Sequence, residues 1–231
     1  MENDVKSSVK NNSFDFKAIV MGCLNFIISV MLKPISALKE KIKNYSDFKS
    51  AGIFVLFVSI ANVLINLISE MISAVFVKQT NYFSGKTKLE VSFDNLGNLD
   101  YFDLIVKQLF WSIVIVAAVA GIYYIVSMIM KKNVNYFRLC TIFSVSFVPV
   151  YVISLVSVIV NYIYTPLSLF LVFAAFIYSF LIFIHAIDNE IEFKDVDCKV
   201  FFHTICLTVV FIVSYYVLTN MLDTMVTSLL K

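Results

Sequence analysis

Two pairs of side chains in the C-terminal third of the sequence are of types that bind metals. His185 and Asp188 are three residues apart, and so are His203 and Cys206. Three residues make nearly one helical turn, so each pair projects from one side of its helix. Histidine, aspartate and cysteine are zinc-ligand types, and paired histidines on helices bind zinc in several enzymes. If the two helices face each other across the acidic loop DNEIEFKDVD, the four side chains form a candidate metal site.

The alternative is that these residues hold no metal. Two-residue pairs arise easily by chance, and this site needs two of them to converge. The sequence lacks the H-E-x-x-H pattern of helical metalloproteases, the G-x-S-x-G pattern of serine hydrolases and a phosphate-binding loop. We therefore predict no catalytic residues, no cofactor and no metal, with interfacial histidines beside an exposed acidic loop. A membrane-embedded metal-dependent enzyme that uses His185 and His203 remains a third hypothesis.

A polar stripe interrupts the apolar run 51–77. Asn62, Asn66 and Glu70 are four residues apart, so they stack on one face of a helix. Intramembrane ionisable residues often mark an ion or proton path, whereas polar side chains also hold transmembrane helices together, at about 0.6 kcal/mol per hydrogen bond. Glu70 lies near the end of the run, and no other run carries a basic counter-charge. We therefore predict a packing seam, with a small permease or accessory transport subunit as the alternative function.

The composition indicates a membrane protein. Of 231 residues, 60% are hydrophobic and 15% are charged, against roughly 45–50% and about 25% in soluble domains. Apolar runs long enough to cross a bilayer core, which takes about 20 helical residues, recur along the chain. The four cysteines form no C-x-x-C pair and predict neither a disulfide framework nor a structural zinc site. The net charge of +2 gives no indication of nucleic-acid binding, and we expect no such partner.

The apolar runs predict an all-α integral membrane protein, a bundle of five transmembrane helices preceded by an amphipathic interfacial helix. The predicted segments are a polar tail 1–17, a membrane-surface segment 18–50, a membrane domain 51–222 and a C-terminal tail 223–231. The predicted spans are about 51–77, 108–130, 139–162, 166–187 and 200–222.

The basic lead-in, residues 33–49, is predicted to lie in the headgroup plane. From position 35 its apolar residues fall at helical spacing, and its lysines point elsewhere. These apolar residues are Ile35, Leu38, Ile42 and Tyr45. The pattern is typical of an amphipathic helix on anionic lipid. The apolar segment 18–32 is short for a span, and we interpret it as a companion at the same surface, with a true span as the alternative.

Loop charges predict the orientation of the bundle. With a cytoplasmic N-terminus and five spans, the inner segments hold thirteen Lys and Arg residues and the outer segments five. Because basic residues concentrate in cytoplasmic loops, this count favours a cytoplasmic N-terminus and an outer C-terminus. If 18–32 also spanned, the count would be ten against eight.

In the outer segment 78–107, the alternation in KLEVSFDNL predicts a short strand or hairpin, and Asp100 or Asp103 is a candidate N-cap of the next span.

The order and spacing of these segments resemble a known family. The lead-in LKPISALKEKIKNYSDFKSAGI precedes five clustered spans that contain GIYYIVSMIMKKNVNYFRL and YIYTPLSLFLVFAAFIYSFLIF. Over roughly 30–222 the chain resembles the bacterial branch of the Yip family of five-span membrane proteins. Members often carry an N-terminal zinc ribbon, for which this sequence has no cysteine cluster. The resemblance implies a membrane location and no established chemistry; eukaryotic members of similar layout bind Rab GTPases, a partner not implied for a bacterial chain.

We therefore expect a Yip-like, multi-pass protein of the cell membrane that is not an enzyme. It would bind other membrane proteins, self-associate or organise lipid. Its lead-in would hold it on anionic lipid at the inner face.

Overall fold

Helices dominate the computed structural model, which describes residues 16–81 and 86–229. The helices are α1 (Phe16–Leu32), α2 (Pro34–Lys41), α3 (Phe48–Val75), α4 (Gln108–Ile129), α5 (Tyr136–Ser146), α6 (Val148–Ile163), α7 (Thr165–Glu190) and α8 (Val196–Leu229). Short 3₁₀ turns follow α2 (Ile42–Tyr45) and precede α4 (Asp94–Asn98), and a π-helical turn (Asp103–Lys107) leads directly into α4. Most of the predicted polar tail, residues 1–15, lies outside the described residues.

Five described helical segments are long and apolar enough to cross a membrane, which confirms the predicted fold class. They are Phe48–Val75, Asp103–Ile129, Tyr136–Ile163, Thr165–Glu190 and Val196–Val217. The bounds lie close to the predicted spans, but α8 continues to Leu229 through the predicted C-terminal tail. The shorter apolar helix α1 has 17 residues, fewer than the roughly 20 that a span needs.

The predicted strand between the first two spans is present as a hairpin. Strands β1 (Phe76–Asn81) and β2 (Lys86–Val91) pair antiparallel, with Phe76 opposite Val91. Of the two predicted caps, Asp100 accepts a hydrogen bond from the backbone N–H of Asp103 at 3.0 Å, and therefore caps the helical segment that becomes α4.

The third span is two helices rather than one. Pro149 lies in the first turn of α6, and the helix is interrupted at Phe147, between α5 and α6. Proline has no N–H and its ring clashes with the carbonyl four residues earlier, so α5 cannot continue through it. The backbone N–H of Val150 instead donates to the Phe147 carbonyl at 3.0 Å.

The predicted single helix over 35–49 is also divided. The helix α2 ends at Lys41, and Asp47 begins α3 by accepting the N–H of Ser50 at 2.9 Å. Leu38 and Ile42 are buried against the protein, so part of the lead-in's apolar face packs on the bundle itself.

The α1 helix packs against the lead-in and the start of α3. The Phe26 ring stacks on Tyr45 with centroids 5.3 Å apart and contacts Phe54 at 5.2 Å. Cys23 and Val30 on the same side of α1 are buried. The apolar segment is therefore part of the protein core on that side, while its depth in the membrane stays a prediction.

Packing is uneven along the bundle. We name one end the lead-in end, where the lead-in, the α4–α5 loop and the α7–α8 loop lie, and the other the hairpin end. The large side chains with under 2% exposure concentrate toward the lead-in end and include Phe54, Tyr123, Leu139, Ile187 and Phe202. The N-terminal half of α4 lies toward the hairpin end. In this described half, before Val116, no large apolar side chain is buried. The tightly packed core therefore lies toward the lead-in end.

Candidate functional site

A polar cluster at the lead-in end joins α7 to α8. Asp188, in the last turn of α7, accepts from His203 Nε2 at 2.8 Å through one carboxylate oxygen. Its other oxygen contacts the ammonium of Lys199 at 2.6 Å. The side chains of Asp188 and His203 are 11% and 9% exposed. One carboxylate thus binds two groups on the following helix, and its charge is balanced by Lys199.

The second nitrogen of His203 has no hydrogen-bond partner in the described part of the chain. Nδ1 is buried without a hydrogen bond among the described residues, and so is the hydroxyl of Tyr123. Aromatic rings surround the imidazole, with centroids at 5.4 Å for Phe202, 6.1 Å for Phe193 and 6.2 Å for Tyr123. An aspartate that orients a histidine is half of a nucleophile-activating arrangement. Within the described part of the chain, no hydroxyl or thiol lies within hydrogen-bond reach of Nδ1 to complete it.

The four predicted metal-ligand types do not all converge. Asp188 and His203 meet, but His185 is exposed on α7. Cys206 is fully buried, one turn beyond His203. In the regions that the structure describes, no group of three His, Cys, Asp or Glu side chains is placed to hold a metal ion.

Arg138 forms a second junction at the same end. Its Nη1 donates to Glu190 Oε1 at 2.8 Å, and its Nε donates to Ser46 Oγ at 2.7 Å. Asn135 caps α5 through the N–H groups of residues 137 and 138, and its amide donates to the Ser46 carbonyl at 2.9 Å. The guanidinium therefore joins α5 to both the lead-in and α7.

A lysine joins the two loops of the same end. Lys132 donates to the Glu192 carbonyl, and its ammonium lies 5.5 Å from the centroid of the Phe193 ring. This contact ties the α4–α5 loop to the α7–α8 loop. With Asp188 and Arg138, it completes a set of polar links between the lead-in and four helices.

Sequence patterns did not identify the Arg138 junction. Its partners lie far apart along the chain, so no local spacing reveals them. One signal was present, since Arg138 is the single arginine beside 17 lysines. Arginine is preferred where a rigid fork must bind two acceptors.

The polar side chains of the α3 stripe make one hydrogen bond within α3 and one to α4. Asn66 donates to Asn62 at 3.2 Å, and both are half-buried. One turn earlier, Ser59 accepts from Ser112 of α4 at 3.2 Å. Glu70 is exposed and has no hydrogen bond or ion pair to any other residue the structure describes. The two asparagines are thus joined by one hydrogen bond within α3, and the link to a second span comes from Ser59.

Two titratable groups of the lead-in have shifted pKa values. Hydrogen bonds from Ser50 hold the pKa of the exposed Asp47 carboxyl below its ordinary 3.8. Burial raises the pKa of Tyr45 to about 12, with a smaller contribution from Cys23. Asp47 therefore stays ionised as a helix cap at neutral pH, and Tyr45 stays neutral in its ring stack.

The comparison with protein families gives one match. The model of the Yip1 domain matches residues 28–218, which contain the lead-in, the hairpin, all five spans and the polar cluster. No curated protein and no solved structure matches the chain. The matched region covers most of the 231 residues. The protein therefore belongs to the Yip family and is a multi-pass membrane protein.

Proposed function

We propose that this Yip-family protein is a non-enzymatic membrane-organising protein that binds other membrane proteins. The observation that carries the proposal is how the polar side chains of the lead-in end are used. Arg138 and Asp188 each bind two groups on other elements of the fold. Because these charged side chains are bonded to other helices and to the lead-in, they are not free to act on a substrate. This use of charge supports a scaffold function more than a catalytic one.

An apolar groove between α4 and α8 supports a partner within the membrane. It has a volume of about 440 Å³, and its wall includes Ala118 of α4 and Ser214 of α8. Only 17% of the most apolar window of the last span is buried, against 39% for the first. Small residues let helix backbones approach closely. A transmembrane helix of another membrane protein is the occupant that this surface favours.

Site-specific crosslinking in cells tests the proposal. A photoreactive residue is placed at Ala118 or at Ser214, and a matched control at Leu169, which is exposed on α7. We expect the groove positions to capture the same integral membrane protein and the Leu169 position not to capture it. Capture of that protein from all three positions, or from none, would contradict the proposal.

The proposal places the chain in the cell membrane with a cytoplasmic N-terminus and an outer C-terminus. The excess of basic residues at the lead-in end supports this orientation. A C-terminal alkaline phosphatase fusion should be active and a C-terminal green fluorescent protein fusion dark. The reverse pattern would overturn the orientation.

A further inference from the structure

A cleft of about 140 Å³ lies between the lead-in and the ends of α5 and α7. Its floor is apolar and well packed, because Leu38, Ile42, Ile142 and Ala186 are all at most 5% exposed. Its rim carries the side chains of Lys39, Lys43 and Asn189, all of them exposed. The cleft thus combines an apolar base with a polar, cationic edge.

The two lysines give the rim its charge. Among the described residues, the ammonium groups of Lys39 and Lys43 have no hydrogen-bond or ion-pair partner, and the only side-chain contact of this kind at Lys43 is to its carbonyl, which accepts from Ser46. The one acid that lines the cleft, Glu190, is already paired with Arg138 at 2.8 Å. The rim is therefore left with two positive charges four residues apart and with the amide of Asn189, which donates hydrogen bonds.

The position of the cleft matches the headgroup layer of a bilayer. Ile142 lies in the second turn of the third span, and Ala186 and Asn189 lie in the last turns of the fourth. The ends of spans stand where hydrocarbon gives way to headgroups. A ligand in the cleft would meet the protein at the depth of a phosphate, with the apolar floor beneath it.

We propose that this cleft binds the phosphate headgroup of a single anionic phospholipid. Lys39 and Lys43 would hold the phosphate oxygens, Asn189 would donate a hydrogen bond, and the floor would cover the start of the acyl chains. The inference deepens the proposed function, because it gives the lead-in of the membrane-organising protein a defined lipid ligand. A free phosphate ion would share the charge but would leave the floor uncovered.

Lipid retention by the intact protein tests the site. The full chain is purified in detergent that contains equal amounts of phosphatidylglycerol and phosphatidylcholine, and retained lipid is counted by native mass spectrometry. The wild type is expected to retain one phosphatidylglycerol in preference to phosphatidylcholine. Lys39→Ala with Lys43→Ala should lower that retention by about 30-fold, from the contribution of two lysines beside an anionic headgroup. Asn189→Asp, which places a negative charge on the rim, should also lower it.

A matched double variant separates a site from general charge attraction. Lys33→Ala with Lys49→Ala removes the same charge from exposed positions of the lead-in outside the cleft, and should leave retention within about twofold. Lys39→Arg with Lys43→Arg, which keeps the charge, should retain binding, so a loss seen only in the alanine pair reports the missing charge.

Three outcomes would overturn the proposal. Equal loss in the two alanine pairs would indicate diffuse attraction, and unchanged retention in all variants would remove the lysines from lipid binding. Displacement of the lipid by millimolar inorganic phosphate would assign the cleft to the free ion. None of these results bears on crosslinking from the α4–α8 groove, so the proposed function stands or fails separately.

Discussion

Replacing Arg138 by lysine tests whether one guanidinium holds three elements together. The change keeps the positive charge but removes the fork that reaches Ser46 Oγ and Glu190 Oε1 at once. A lysine ammonium would keep one of these acceptors and lose the other. Hydrogen bonds of charged groups contribute about 1.5–3 kcal/mol. Because the Arg138 side chain is 27% exposed, we reduce the expected loss to about 1–2 kcal/mol.

The chain offers a convenient assay for this loss. Cys23, Cys140 and Cys206 are buried free thiols, so a thiol-reactive dye reports unfolding in detergent. For a chain of this length, a loss of about 1–2 kcal/mol lowers the melting temperature by about 2–8 °C. The control is Lys107→Ala, which breaks an exposed pair with Asp103 and should change the melting temperature by at most about 2 °C.

A double-mutant cycle identifies the lost contact. If lysine retains Glu190 and loses Ser46, Ser46→Ala should destabilise the wild type more than the Arg138→Lys background, where it removes only the hydrogen bond from the Ser46 hydroxyl to the Lys43 carbonyl. The reasoning is refuted if Arg138→Lys melts with the wild type, or if the two changes are additive.

Three further predictions concern individual side chains. Asn135→Ala should lower stability by about 1–2 kcal/mol because α5 loses its N-cap, as measured by the same thiol assay, whereas Asn133→Ala at an exposed neighbour should not. The folded-state pKa of Asp47 is depressed, so its stabilising contribution is complete above its unfolded pKa of 3.8 and is lost as pH falls through the lower folded value. Asp47→Asn should retain a cap at neutral pH and show a smaller loss of melting temperature on acidification than the wild type. Glu70→Leu should leave proton and potassium flux in proteoliposomes unchanged, because the acid is exposed.

Each of these expectations has a contrary result. Equal melting temperatures for the two asparagine variants would remove the cap from the stability of α5. Parallel acid profiles for the wild type and Asp47→Asn would contradict the linkage. Flux that disappears with Glu70→Leu would favour the transport alternative over the packing seam.

Span positions follow from composition because a bilayer demands long apolar helices. The predicted and observed spans differ by a few residues at most ends, and the hairpin strand follows from the alternation around Leu89 and Val91. The break before Pro149 has a local signal in the sequence, since proline cannot continue a helix. The apolar run continues on both sides of this proline, so hydropathy alone predicts one uninterrupted helix. Apolar character alone therefore locates a span without showing whether it is one helix.

The polar cluster depends on tertiary contacts that spacing captures only in part. His185 and Asp188 are three residues apart, which is 60° short of a full turn at 100° per residue. That offset lets Asp188 reach His203 while His185 remains exposed. The pairing of Asp188 with His203 needed only two adjacent helix ends. The Arg138 junction brings together three separate elements, the lead-in, α5 and α7. The sequence therefore singles out Arg138 as the one arginine but does not predict its partners.

The link between Asp188 and α8 also sets an order for biosynthesis. His203 lies fifteen residues after Asp188, and a ribosome takes about one to three seconds to add that length. For most of that interval the carboxylate at the end of α7 has neither Lys199 nor His203 to bind. A chain halted before α8 would display an unneutralised acid and an uncovered face of α4. We therefore expect completion of the last helix to be the closing step of assembly, and we expect chains truncated before residue 196 to be degraded faster than the full protein.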